Sequence, residues 1–334
     1  MFTNAASHWV WTALAVIALV TIAVTTRPAF KQQSDMVVIR KPGHRWFGAP
    51  ELAQISAAED LPYAWLSTAA YGSPNSTKAD EIAKFKAGKI GLGDEWCLWS
   101  DFPDARLQTE MDSVHLRAQV WEKQSDHLVV VTFGGTVATN LNDWKANTHW
   151  AHPFLKDQYT VVGDAFVRAF AEEVARKMQQ SGQGQIHLRA TGHSLGAGLA
   201  EKFAYSLPAT ENHIPRVEKV YAFDPSPVTS FLNTKGSVRR ENKDGLEIDR
   251  IFERGEVLAI LRAITAVFHK PSATNPKVTQ FRYNLFGDDR FGFTNPIANH
   301  SIEELAERLQ QVAASRLPPK ATVTAPATQA DSGG

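Results

Sequence analysis

The sequence predicts an α/β fold, with a mostly parallel central sheet and helices on both faces. Three observations predict it. From Leu128 to Ser315, strand-like runs alternate with helix-like runs. That alternation joins parallel strands through crossover helices. Leu128-Val129-Val130-Val131-Thr132-Phe133 is almost wholly apolar, the pattern of a strand buried on both faces. Gly192-His193-Ser194-Leu195-Gly196 stands between a strand-like run, Ile186 to Thr191, and a helix-like run, Leu195 to Leu207.

The elements follow in chain order. Residues 1–8 are a short N-terminal segment, and Trp9 to Thr26 carries no charge. Its length is about the minimum for a helix crossing a bilayer core. Trp9 and Trp11 suit an interfacial belt at one end, and Arg27 and Lys31 flank the other. The expectation is a single transmembrane anchor at 9–26. A cleaved signal peptide, with a secreted or periplasmic product, is the alternative, but the start lacks the usual basic residues. The flank of Arg27, Lys31, Arg40 and Lys41 would place the following domain on the cytoplasmic side. Residues 27–50, with Pro28, Pro42, Gly43 and Pro50, read as a linker.

Residues 51–317 form the main domain. A helix is expected over 51–72 and a strand over Ser113 to Glu122. After strand 128–133, Phe166, Phe170, Val174 and Met178 recur every four residues, one face of an amphipathic helix packed on the sheet. Strands are then expected at 186–191, 219–223, 248–253 and 278–285. Helices are expected at 195–207, 257–268 and 301–315. The tail 318–334, rich in Pro, Ala, Thr and Gly, reads as disordered.

Composition excludes several classes. The formal net charge is zero, so the chain lacks the basic footprint of a nucleic-acid binder. Cys97 is the single cysteine, which rules out an internal disulfide and a cysteine-based zinc site.

The turn at 192–196 carries the chemistry. A serine on a sharp strand-to-helix turn presents its hydroxyl beside the backbone N–H of the next residue, here Leu195. Close packing of the turn demands the small residues Gly192 and Gly196. A serine so placed suits acyl transfer. It needs a histidine base and an acid to orient it. Of the downstream histidines, His213 comes too early, His269 follows an apolar helix, and His300 stands just before the last helix. His300 is the expected base. Two acids sit at strand ends, Asp224 and Glu256, where α/β folds place their sites. Phe133-Gly134-Gly135-Thr136 ends a central strand. Its glycines admit close approach, and Thr136 can supply the second oxyanion N–H beside that of Leu195.

Together these segments resemble the class 3 (fungal-type) lipases of the α/β-hydrolase superfamily. Phe133-Gly134-Gly135-Thr136 is similar to that family's F-R-G-T segment, and Asp143-Trp144 to its D-W step. The run Gly192 to Ala200 is similar to its G-H-S-L-G-G/A-A-L-A turn. Arg250 to Val257 is similar to its R-V-x-N-x-x-D-x-V strand, which puts Glu256 on the family's acid position and His300 on its histidine. Gly134 stands where the family has arginine, and Glu256 where it has aspartate. Phe223-Asp224-Pro225 instead resembles the acid segment of pancreatic-type lipases, so Asp224 is the second candidate.

The resemblance covers roughly residues 51–315. It implies an α/β-hydrolase fold and a serine carboxylic-ester hydrolase acting on lipid acyl esters without metal or organic cofactor. It also implies a lid among His149, Trp144, Trp150 and Phe154. Phe281, Tyr283, Phe286, Phe291 and Phe293 are candidates for an acyl pocket. A membrane-attached, catalytically idle binding module and a thioesterase or acyltransferase are the alternatives.

Overall fold

A computed structural model describes residues 36–72, 92–135, 158–181, 186–226, 234, 236–256, 258, 270–285 and 300–315. Nine strands form one sheet in the order β2-β1-β9-β8-β7-β6-β5-β4-β3. They are β1 (Val37–Arg40), β2 (Phe47–Gly48), β3 (Trp96–Leu98), β4 (Ala118–Lys123), β5 (Leu128–Phe133), β6 (His187–His193), β7 (Val217–Phe223), β8 (Glu247–Glu253) and β9 (Lys277–Tyr283). The five central strands, β5 to β9, run parallel. The two strands at each edge pair antiparallel. The fold is α/β, and the parallel character belongs to its centre.

The longer helices among the described residues are α1 (Ala53–Ala69), α2 (Ala105–Ser113), α3 (Val167–Ser181), α4 (Leu195–Ser206), α5 (Gly236–Asn242) and α6 (Ile302–Ala314). α1 and α6 cover one face of the sheet. Tyr63, Leu66, Leu305 and Leu309 there meet Tyr221, Phe223 and Ile251. α3 and α4 cover the other face, where Phe166, Phe170 and Val174 join Phe133 and Phe203. The spacing of four in the sequence is therefore a core stripe, and each such side chain contributes about 1.5–3 kcal/mol by leaving water. The backbone widens to a π-turn at Val162–Phe166, just before α3. Gly163 lies there against the buried Lys202 of α4, whose Cε a Cβ on Gly163 would strike.

Several expectations change. Residues 37–40 and 47–48, expected in a linker, form β1 and β2. Val37, Val38 and Ile39 are fully buried there, and β1 pairs with β9. The strand expected from Ser113 begins only at Ala118. Ser113 closes α2, whose first turn is capped by the Asp104 carboxylate accepting from Leu107 N at 2.7 Å. No helix among the described residues is long and apolar enough to cross a membrane. The segments 1–8 and 9–26, the helix 257–268 (apart from Leu258) and the tail 318–334 lie outside the described residues. So do the four lid residues, His269, Phe286, Phe291 and Phe293.

Candidate active site

Parallel strands carry their loops to one end of the sheet, and the chemistry-bearing residues gather at the carboxyl ends of β6, β7 and β8. β6 ends at His193 and α4 starts at Leu195, so Ser194 makes the whole turn. Its backbone has φ 57 and ψ −120, a conformation that costs about 1–3 kcal/mol and persists only where neighbours impose it. They do so here. Ser194 N donates to Phe223 O at 2.9 Å, and Ser194 O accepts from Ala197 N and Ser226 N, each at 3.2 Å. A Cβ on Gly192 would strike Gly196 O, and one on Gly196 would strike Phe133 O. Both glycines are thus required by contact. A serine at this position usually caps its helix, but the Ser194 side chain makes no capping hydrogen bond. Ser194 and Leu195 are half-buried, whereas the rest of α4 is buried.

His300 stands just before α6, and its Nδ1 lies 2.8 Å from Glu256 Oε2. Glu256 is buried, and the same oxygen accepts from Leu258 N at 2.8 Å. Two acceptor contacts on one oxygen fix the carboxylate, and the carboxylate fixes the imidazole ring. The His300 ring lies 4.5 Å from the ring of His193, the residue preceding Ser194.

Asp224 lies elsewhere in the cluster. It directly follows β7, with a positive φ of 40. Its Oδ1 accepts from Glu253 N at 3.2 Å, and its Oδ2 is 3.6 Å from His193 Nε2. The hydrogen bond of His300 Nδ1 thus goes to Glu256, while Asp224 faces His193. His213 falls in the turn between α4 and β7, at the opposite end of the sheet from the cluster. Tyr283, a pocket candidate, is core: its hydroxyl donates to the buried Asp60 at 2.7 Å. Phe281 packs partly buried in the same layer.

Thr136 lies outside the described residues, but the two glycines before it are described. Gly134 N donates to Arg117 O at 3.0 Å. Gly135 runs against the serine turn, where an added Cβ would stand 2.7 Å from His193 O and 3.3 Å from Ser194 Cβ. The end of β5 therefore abuts the serine, as an oxyanion strand must.

Two site residues escape sequence reasoning. Tyr71, just after α1, has its hydroxyl 2.7 Å from His193 Nδ1. His193 itself lies inside the serine motif, which was the available signal. Burial, then the nearby His300, pushes the His193 imidazole below its ordinary value, although Asp224 and Glu256 pull it upward. Burial drives the Tyr71 phenol far above its ordinary value. Among the described residues, His193, Asp224 and His300 form a group able to present three metal-ligand atoms, all within 4.8 Å of one another. They would have to draw together to make zinc bonds of about 2.0–2.2 Å.

Residues 63–210 match a family model described as a Tle-like phospholipase domain. No curated protein matches the chain. Among solved structures, a Rhizomucor miehei lipase in complex with its propeptide is 15% identical. That match covers 64% of this chain and 64% of the lipase, just under two thirds of its length, with a TM-score of 0.40. A lipase from Rhizopus microsporus var. chinensis is 13% identical over 70% of this chain and 73% of its own, with a TM-score of 0.42. A triacylglycerol lipase from Penicillium expansum is 18% identical over 59% and 71%, with a TM-score of 0.35. The phospholipase-domain match agrees with the sequence's resemblance to lipases.

Proposed function

We propose that this chain hydrolyses acyl esters of lipids with Ser194 as nucleophile, His300 as general base and Glu256 as the acid that orients it. The observation that carries the reading is the 2.8 Å contact between His300 Nδ1 and Glu256 Oε2, with the His300 ring 4.5 Å from that of His193, the residue before a serine held at φ 57. With Nδ1–H donating to Glu256, Nε2 is the basic nitrogen, which is the tautomer a serine base needs. His300 takes the Ser194 proton as the hydroxyl oxygen bonds to the ester carbonyl carbon. The carbonyl oxygen becomes an oxyanion, held by the N–H of Leu195 and, on the sequence reading, that of Thr136. His300 then gives its proton to the leaving alcohol. Water, deprotonated by His300, attacks the acyl-enzyme and releases the carboxylic acid and free Ser194.

The match to a phospholipase domain favours a phospholipid as the ester substrate. The uncharged segment 9–26 would hold the domain beside such a substrate.

The test is labelling of the full chain by a fluorophosphonate, followed by fatty-acid release from phospholipid–detergent micelles. Wild type is expected to label. Ser194→Ala should not label, and His300→Ala should label poorly. Either change should lower kcat by at least about 10³-fold. A folded wild type that does not label would make the chain an idle binding module. A wild type that labels but turns over only thioesters, or only transfers acyl groups, would replace the substrate class.

A further inference from the structure

A second polar chain, distinct from the proposed triad, joins the serine turn to the end of β5. Tyr71 stands between the two. Its hydroxyl packs against Gly135, where an added Cβ would strike it, and lies 2.7 Å from His193 Nδ1. Behind His193, Asp224 Oδ2 lies 3.6 Å from Nε2. Asp224 is itself fully buried and held through Glu253 N at 3.2 Å. We infer that Tyr71 and His193 are positioning residues that set the backbone of Gly135 against Ser194. This inference rests on the proposed role of Ser194.

Three observations argue for it. The approach is tight: a Cβ on Gly135 would collide with the Tyr71 hydroxyl and crowd His193 O. A backbone so close to the nucleophile has little freedom, and the Tyr71 hydroxyl packed against Gly135 restricts it further. The Tyr71 hydroxyl also has two partners on His193, Nδ1 at 2.7 Å and the backbone O at 3.4 Å, so it stays tied to the serine turn. With Nδ1 accepting, the ring proton of His193 sits on Nε2, toward Asp224. Finally, an oxyanion donor must lie about 2.7–3.1 Å from where the charge will form. The peptide after Gly135 carries the N–H that the sequence assigns to that work. Losing the Tyr71 hydroxyl would remove the contact that holds Gly135 against the serine turn, a loss felt in the transition state more than in substrate binding.

The test uses the full chain with Tyr71→Phe, His193→Asn and His193→Leu. Asn retains an acceptor near the place of Nδ1, and Leu does not. In Tyr71→Phe, kcat and the fluorophosphonate labelling rate are expected to fall together, by about 10- to 100-fold. KM should stay within about twofold and the thermal midpoint should stay near wild type. His193→Asn should keep several-fold more activity than His193→Leu. If Tyr71→Phe unfolds, the His193 pair decides alone. Wild-type labelling and kcat in Tyr71→Phe, or equal activity in the two His193 variants, would overturn the inference while leaving the reading of Ser194 standing. Failure of wild type to label would overturn both.

Discussion

Ser194 shows how strain and chemistry are coupled at a single residue. Its φ of 57 is tolerable because its backbone is held by Phe223, Ala197 and Ser226. The same geometry keeps the hydroxyl from capping α4. The motif that encodes this turn was readable in sequence because two of its glycines are demanded by contact, at Gly196 O and Phe133 O. The acid was not readable at the same level. Asp224 and Glu256 both end strands, and two or three residues of loop decide which reaches His300. The contact of His300 Nδ1 with Glu256 separates them into different expected outcomes. Glu256→Gln removes the charge facing the imidazole and disturbs its tautomer, so kcat should fall by about 10³- to 10⁴-fold. Asp224→Asn, acting through His193, should cost about tenfold or less. Steady-state kinetics on a soluble short-chain ester measures both. An equal loss in the two variants would reject the assignment of Glu256.

Elements are tied to one another by buried charge. Glu201 of α4 and Arg250 of β8 make two hydrogen bonds of 3.0 Å, Nε to Oε1 and Nη2 to Oε2. The pair links the helix that begins at the serine turn to the strand that leads to Glu256. Such a pair adds little net stability but costs heavily if one partner is removed. Asp60 of α1 is a different case. It is buried and accepts from the Tyr283 hydroxyl of β9 at 2.7 Å. Burial, with added repulsion from Asp249 and Glu59, raises its carboxyl well above the ordinary 3.8, against the opposing pull of Tyr283 and Lys219. The folded state therefore holds a proton that the unfolded chain releases. Its contribution to stability is complete below about 3.8 and is lost as pH rises through the elevated folded value. Asp60→Asn keeps an acceptor for Tyr283 and removes the titration. Urea unfolding between pH 4 and pH 8 should show the variant gaining on wild type as pH rises. A constant difference across that range would reject the raised carboxyl.

At the scale of the whole molecule, the sheet brings five parallel strands to one end and closes each edge with antiparallel pairs. With zero formal charge over the whole chain, the protein has no net electrostatic pull toward anionic lipid, so its encounter with a membrane falls to the proposed anchor. Wild type is then expected to resist extraction from membranes by alkaline carbonate. Ile17→Lys with Val20→Asp should release it, because each charge costs about 2.5–3.5 kcal/mol near a bilayer centre. Wild type recovered in the carbonate wash would remove the anchor.

Local pattern by itself determined the central strands, the helix behind the serine, the core stripe of Phe166, Phe170 and Val174, and the candidate Ser194. These are written in periodicity and in glycines whose spacing sterics dictate, so neighbours along the chain suffice to read them. Only the tertiary structure decided that β1 and β2 join the sheet, that Glu256 faces His300 while Asp224 faces His193, and that Tyr71 bridges β5 to the serine turn. Each of those depends on partners far apart in sequence, such as β1 on β9 or Tyr71 on His193. Long-range pairing leaves no period for a local pattern to carry.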